Sequence, residues 1–202
     1  TSYGDSPYQS FSARAGNPNF IDFAELIEAG YLEQRDIDGV YLGSDPGNVD
    51  YGAIFGGRRQ ILDRAAERFA ADKPADFDDF VQTNEDWLIP YCEFMTVKEE
   101  CGLKAFWEWP AELRTRGEAS AKVCAAHPVR MLYHQMTQYF FDRQWSRLKA
   151  YANVEMWATP ELFKIDAAGN PVSVAGTPPD QFSATGQYWG NPIYDWDAME
   201  AD

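Results

Sequence analysis

The chain has little positive charge and few residues of the kinds that bind metals. It carries 17 Lys and Arg against 32 Asp and Glu, and its net charge is −15. Nucleic acids and anionic membrane surfaces repel such a chain, so neither is expected as a partner. Its two histidines and three cysteines lack C-x-x-C and zinc-type spacing, so no metal site is expected. Reduced, partly buried thiols are typical of cytoplasmic proteins, and this is the location that we expect.

Long apolar runs and several widespread enzyme motifs are also absent. No apolar stretch of the sequence reaches membrane-spanning length, and the opening residues lack the basic and apolar regions of a signal peptide. The Walker loop and the G-x-G-x-x-G, G-x-S-x-G and H-E-x-x-H motifs do not occur. These absences disfavour P-loop enzymes, Rossmann-type dinucleotide enzymes, α/β-hydrolases and zinc proteases.

Apolar residues that recur at three- and four-residue steps predict a mainly helical chain. Pro90 is expected to kink the helix predicted over 76–101, and two indoles, Trp107 and Trp109, should pin a connector. The predicted elements are helices over 22–30, 58–71, 76–101 and 128–153, a loop over 31–50, the connector over 106–117 and a hairpin over 161–174.

Two irregular segments, 1–20 and 175–196, do not fit a helical or a strand period. Both mix Gly and Pro with aromatic rings and short polar side chains. A long irregular stretch in a compact protein is usually a functional loop or disordered, and so many rings argue against disorder. Rings can cover the apolar faces of a sugar while amides and carboxylates bind its hydroxyls, so the segments predict a sugar site. A structural loop packed on its own rings is the alternative.

Short motifs occur within and between these segments in a recognisable order. They are Gly4-Asp5-Ser6-Pro7-Tyr8-Gln9-Ser10-Phe11-Ser12, Ala15-Gly16-Asn17-Pro18, Asn48-Val49-Asp50-Tyr51, Arg143-Gln144-Trp145, Met156-Trp157-Ala158-Thr159-Pro160-Glu161-Leu162-Phe163 and the stretch 174–196. In these motifs the chain resembles the 4-α-glucanotransferases, the amylomaltases or disproportionating enzymes of glycoside hydrolase family 77. The resemblance extends over essentially all 202 residues.

The resemblance implies an α/β fold, a (β/α)8 TIM barrel with helical insertions, of which this chain is a part. It also implies a retaining enzyme that cuts an α-1,4-glucan, holds the cut piece on a carboxylate and passes it to another glucan. Maltooligosaccharides, starch and glycogen would be its partners, and its two carboxylates need no cofactor. An α-amylase-type hydrolase and a non-catalytic glucan-binding protein are the alternatives.

The chain is predicted to be incomplete, because a barrel of this kind needs about 250 residues. Residues 1–202 are expected to be a piece of one catalytic barrel domain, with 31–127 as a largely helical insertion. The nucleophile Asp and the acid/base Glu should follow Asp202, so this piece alone should be inactive. The resemblance also implies a strand with its loops, about twenty residues, between Asn153 and Val154, so we expect a chain break there.

Four residues of the first half are assigned by the resemblance. Tyr8 is expected to stack on the glucose next to the scissile bond, in a loop that Ser6 helps to shape. Tyr3 and Phe55 match or fall near positions that are linked in some relatives to a secondary glucan site.

Five residues of the last segment are assigned in the same way. Gln187 and Trp189 are expected to contact the donor glucan. Pro179, Asp180 and Phe182 are expected to belong to a loop that covers the site and excludes water, which favours transfer over hydrolysis.

Overall fold

Helices form most of the described chain. The computed structural model describes residues 12–45, 47–158, 163–165, 171–173, 187–188 and 191–192, with side chains described for 12–45 and 47–152. The chain divides into two compact units, Thr1–Gln144 and Trp145–Asp202. The helices are α1 (Phe23–Glu28), α2 (Gln34–Asp38), α3 (Tyr51–Ala71), α4 (Phe77–Thr83), α5 (Glu85–Glu100), α6 (Glu118–Ala126) and α7 (Pro128–Ala158). Three short 3-10 helices are Pro18–Phe20, Phe106–Glu108 and Ala111–Leu113.

Two antiparallel strand pairs are described in the second unit. They join β1 (Phe163–Ile165) to β2 (Pro171–Ser173) and β3 (Gln187–Tyr188) to β4 (Asn191–Pro192). The first pair confirms the predicted hairpin, with Lys164 opposite Val172. None of the strands that the structure describes is parallel, so the barrel in the fold prediction stays a prediction. The domain boundaries and the chain break at Asn153, which lies within α7, also stay predictions.

Two helices follow the sequence pattern closely. Helix α1 begins after Asp22, whose Oδ1 accepts a hydrogen bond from the Ala24 N–H at 3.0 Å, and it is followed by Gly30 with a φ of +82°. Helix α3 has the predicted apolar stripe but begins earlier, because Asp50 caps it through the Ala53 N–H at 2.9 Å. Gly57 inside α3 is a packing requirement, since a Cβ there would lie 2.8 Å from the Tyr41 carbonyl oxygen.

The prediction of a single helix kinked at Pro90 is wrong in one respect. The structure has two helices, α4 and α5, which are separated at Asn84. The Asn84 side chain donates to the Phe80 carbonyl at 2.9 Å and accepts from the Trp87 indole at 3.0 Å. It therefore satisfies the end of one helix and a side chain of the next, while Pro90 is accommodated inside α5.

Three connecting regions also differ from the predictions. Trp109 is buried and its indole donates to the Lys104 carbonyl at 3.0 Å, but Trp107 is exposed, so only one indole pins the connector. Residues 118–126, for which the periodicity predicts no element, form α6 within the segment 31–127 that is expected to be largely helical. The predicted loop over 31–50 contains α2, because buried Asp36 accepts from the Glu33 N–H at 2.8 Å and from Arg68 at 2.5 Å. The hydrogen bond from Arg68 lowers the pKa of Asp36.

The core of the first unit lies between α1, α3, α4 and α7. Edge-to-face aromatic contacts form its centre, with the ring centroids of Phe69 and Phe77 4.8 Å apart and those of Tyr139 and Phe140 5.2 Å apart. The stripe of α3 that the sequence predicts (Ile61, Leu62, Ala65, Ala66 and Phe69) is fully buried against these rings. Helices α3 and α7 therefore supply the packed face against which neighbouring segments lie.

The described part of the chain contains neither a membrane-spanning helix nor a disulfide bond. No helix in the described part of the chain is long and apolar enough to cross a membrane. Cys92, Cys101 and Cys124 are free cysteines, and burial raises the pKa of each thiol.

Candidate functional site

A cavity of about 200 Å³ lies within the first unit, between the segment 12–19, α3, α5 and α7. The helices contribute rings, aliphatic side chains and charged groups, and the segment contributes hydroxyl, amide and backbone groups. The lining residues are Ser12, Ala15, Gly16, Asn17, Pro18, Asn19, Phe55, Arg59, Leu62, Tyr91, Met95, Lys98, Glu99, Leu103, Tyr133 and His134.

The segment that forms one rim of this cavity is tied to helix α7. The Gly16 N–H donates to Gln138 Oε1 at 2.7 Å, and Gln138 Nε2 donates to the Gly16 carbonyl at 3.1 Å. Six residues further along both the segment and the helix, the same pairing recurs. The Asp22 N–H donates to Gln144 Oε1 at 2.7 Å, and Gln144 Nε2 donates to the Asp22 carbonyl at 3.0 Å. Arg58 of α3 also donates to the Ile21 carbonyl. The backbone is therefore held at Gly16, within the rim, and at Ile21 and Asp22, just after it.

The opposite wall is a network of charged groups around Glu99. Arg59 donates two hydrogen bonds to the two carboxylate oxygens of Glu99, at 2.8 and 2.7 Å. Asp63 accepts from Arg59 at 3.1 Å and from Arg130 at 2.7 Å. The guanidinium carbons of Arg59 and Arg130 also lie 4.3 and 4.9 Å from the centre of the Tyr133 ring. The two arginines are thus shared between two carboxylates and one aromatic face.

Burial and neighbouring charges set the protonation states of this wall. Burial alone would raise the pKa of Glu99, but His134 and Arg59 beside it lower the pKa to about 2. Burial lowers the pKa of His134, whose Nε2 lies 2.9 Å from Glu99 Oε1. Burial also raises the pKa of the Tyr91 and Tyr133 hydroxyls. At neutral pH the wall therefore has an ionised carboxylate, a neutral imidazole and neutral phenols.

This arrangement is suited to binding and not to acid–base cleavage. Retaining cleavage of a glycosidic bond needs two carboxyl groups about 5 Å apart, one of which must carry a proton. The only carboxylate among the described lining residues is Glu99, and it is ionised and neutralised by Arg59. The rings, amides and backbone groups of the cavity can cover and hydrogen-bond a small polar ligand.

The structure describes two of the nine residues that the sequence assigns to a site. Phe55 lies on α3, half exposed, and lines the cavity. Gln187 lies in β3 opposite Pro192, with its backbone alone described. The other seven (Tyr3, Ser6, Tyr8, Pro179, Asp180, Phe182 and Trp189) lie outside the described residues.

Most lining residues of the cavity were not predicted from the sequence. Arg59, Tyr91 and Glu99 lie in helices whose amphipathic pattern indicates only a buried face. His134 lies in the helix predicted over 128–153 and is buried against Glu99. A repeat of polar and aromatic residues at four-residue steps, as in Phe55 and Arg59, is the signal that marks these positions on one helix face.

The comparisons with known proteins extend along the whole chain. A model of glycoside hydrolase family 77, the 4-alpha-glucanotransferases, matches residues 1–155 and 153–202. The chain belongs to this family. The two family 77 matches overlap at 153–155, beside the predicted break.

Among the described side chains, no group of three or more His, Cys, Asp or Glu residues could hold a metal ion.

Several members of family 77 align with the chain from end to end. The 4-alpha-glucanotransferase of Streptococcus pneumoniae is 47% identical over 224 residues, covering 100% of this chain and 44% of that protein. The enzyme of Thermus thermophilus is 40% identical over 227 residues, covering 100% of this chain and 44% of its own length. Amylomaltase from Streptococcus agalactiae, solved in complex with acarbose, has a TM-score of 0.69 at 42% identity and covers 100% of this chain and 45% of that chain. The chain therefore spans less than half the length of these relatives.

Proposed function

We propose that the full-length protein is a retaining 4-α-glucanotransferase that moves α-1,4-glucan segments between maltooligosaccharides, starch or glycogen. The observation that carries this proposal is the family 77 match along both parts of the chain. The amylomaltase that the fold resembles was solved with acarbose, which supports a sugar ligand for this chain as well.

The proposal extends to the fold and the place of action. The chain would be part of a (β/α)8 barrel domain, with 31–127 as its helical insertion and the nucleophile Asp and acid/base Glu beyond Asp202. A further segment would lie between Asn153 and Val154; the alignment with the S. pneumoniae enzyme runs over 224 positions for a chain of 202 residues. Three free thiols support a cytoplasmic location.

The site residues keep the roles that the family motifs give them. Tyr8 would stack on the glucose beside the scissile bond and Ser6 would shape its loop, while Gln187 and Trp189 would contact the donor glucan. The loop with Pro179, Asp180 and Phe182 would exclude water. Phe55, with Tyr3, would serve a secondary glucan site, and the half-exposed ring of Phe55 at the cavity supports this part.

Incubation of the full-length protein with maltotriose is the test of the proposed function. We expect glucose together with a ladder of longer glucans, because the glycosyl-enzyme passes its sugar to another glucan in preference to water. Chromatography of the products over time measures both. Glucose and maltose without a ladder would indicate an α-amylase-type hydrolase, and binding without any product would indicate a glucan-binding protein.

Replacing Tyr8 by alanine tests the first site residue. We expect kcat/KM for maltotriose to fall by about 30-fold, since loss of a buried ring contact costs about 2 kcal/mol. The matched control is Tyr41→Ala, because the Tyr41 side chain is exposed, and it should leave kcat/KM unchanged. Equal kcat/KM values for the two variants would contradict the assignment of Tyr8.

A further inference from the structure

Two glutamines of α7 bind the backbone of the segment 16–22 in the same way. The Gln138 amide both accepts from and donates to Gly16, and the Gln144 amide does the same with Asp22. A backbone residue that exchanges both its N–H and its C=O hydrogen bonds with one and the same partner is typical of a hydrogen-bonded pair in an antiparallel strand ladder. Here two side chains take the place of the neighbouring strand.

The spacing of these two contacts is matched by the local structure of the segment. Six residues of an α-helix rise about 9 Å, whereas six residues of extended chain would span about 20 Å. The 3-10 helix Pro18–Phe20 shortens the segment between its two anchor points. Asn17 stabilises this turn by accepting from the Asn19 N–H at 3.0 Å. The turn therefore brings Gly16 and Asp22 to the spacing of the two glutamines.

The contact with Gln138 fixes the position of the Gly16 backbone relative to helix α7. Gln138 is 1% exposed, and a buried amide that loses its partners is costly, so displacement of Gly16 is strongly disfavoured. Phe141, three residues later on the same face of α7, lies against Gly16 so closely that a Cβ at position 16 would overlap its ring. The amide fixes the hydrogen bonds of Gly16 and the ring fixes its distance from the helix.

The fixed segment continues directly into the part of the chain to which the sugar contacts are assigned. Ser12, Ala15, Gly16, Asn17, Pro18 and Asn19 form one rim of the cavity. Ser12 is four positions after Tyr8 in the sequence. A shift of Gly16 would therefore move the cavity rim, which is close in the sequence to the residues assigned to sugar contacts.

We propose that Gln138, supported by Gln144, is a positioning residue for glucan binding. It acts through the backbone of Gly16 and does not touch the sugar. The proposal rests on the proposed function, because the ligand whose affinity it controls is the glucan. Gln144 is partly exposed and should have the smaller effect.

The test compares Gln138→Met and Gln144→Met with the wild type in the full-length protein, using maltotriose as substrate. Methionine keeps the length of the side chain and removes both hydrogen bonds. We expect KM to rise about tenfold for Gln138→Met and about threefold for Gln144→Met, with kcat within twofold, because the loss falls on binding shared by ground state and transition state. Gln60→Met, at an exposed position of α3, is the matched control and should change neither constant.

The split between KM and kcat separates positioning from simple anchoring. A purely structural role would lower the melting temperature and the amount of active enzyme, and the folded fraction would keep the wild-type KM. If Gln138→Met does not fold, the KM of Gln144→Met decides. An unchanged KM in the folded variants overturns the positioning role while the wild-type ladder stands. A wild type that makes no ladder overturns the proposed function, and the positioning role with it.

Discussion

Replacing Glu99 by alanine is expected to lower the free energy of unfolding by about 3 kcal/mol. The change leaves Arg59 and His134 partly or fully buried without the carboxylate that faces them, and removal of one partner from a buried ion pair costs about 3–5 kcal/mol. The lower end applies because Asp63 still binds both Arg59 and Arg130. Urea unfolding of wild type and variant, followed by far-UV circular dichroism, measures the difference.

Glu100→Ala is the matched control for this prediction. Glu100 is the next residue of α5, and its pair with His127 is half exposed, so its loss should cost less than 1 kcal/mol. Similar losses for the two variants would show that the ionic network around Glu99 does not stabilise the helical unit.

The same carboxylate predicts a pH dependence of stability. Because the folded pKa of Glu99 is about 2, below its ordinary value of 4.5, the stabilisation is complete above about pH 4.5 and is lost as the pH falls towards 2. His134 acts in the same direction below its ordinary pKa of 6.5, since the folded protein resists its protonation. In Glu99→Ala, we expect the loss of stability between pH 4.5 and 2 to be smaller than in the wild type.

Replacing Gly16 by alanine should also cost about 3 kcal/mol of unfolding free energy. The added Cβ would overlap the ring of Phe141, and neither side can move freely because Gln138 holds the Gly16 backbone from the same helix. Forcing an extra carbon into a packed site usually costs about 1–3 kcal/mol, and a clash with a fixed backbone belongs at the upper end. Urea unfolding again gives the value.

Two further variants show whether the clash is the cause. Gly56→Ala adds the same carbon in α3, where a Cβ would meet no atom within 4 Å, and it should stabilise the protein by up to about 1 kcal/mol. The double variant Gly16→Ala with Phe141→Ala should be more stable than the sum of the single losses indicates. Strict additivity of the two losses would place the cause elsewhere.

A helix was predictable from the sequence where its apolar residues form one continuous stripe that packs against a single core. Ile61 to Phe69 recur at helical spacing because α3 turns the same face to the aromatic core along its length. The division at Asn84 was not predictable, because it depends on hydrogen bonds from its side chain to Phe80 and from Trp87. Pro90 is the stronger breaker by residue type, yet it lies inside a helix.

The candidate site divides in a similar way. Motifs that are contiguous in sequence, such as Gly4 to Ser12, pointed to the family directly. The cavity wall could not be predicted from the sequence, because Arg59 and Glu99 are 40 residues apart and come into contact only when α3 packs against α5. The glutamine contacts join positions 122 residues apart, so a buried Gln138 looks from the sequence like an interruption of an apolar face.

The thiols of the described chain offer a chemical advantage. Because burial raises the pKa of Cys92, Cys101 and Cys124, these side chains remain protonated at neutral pH, and the protonated thiol is a poor nucleophile. A cysteine placed at an exposed position, such as Gln82→Cys on α4, would react with a maleimide dye ahead of them. An introduced exposed cysteine is thus a position at which a fluorophore would attach faster than at the three native thiols.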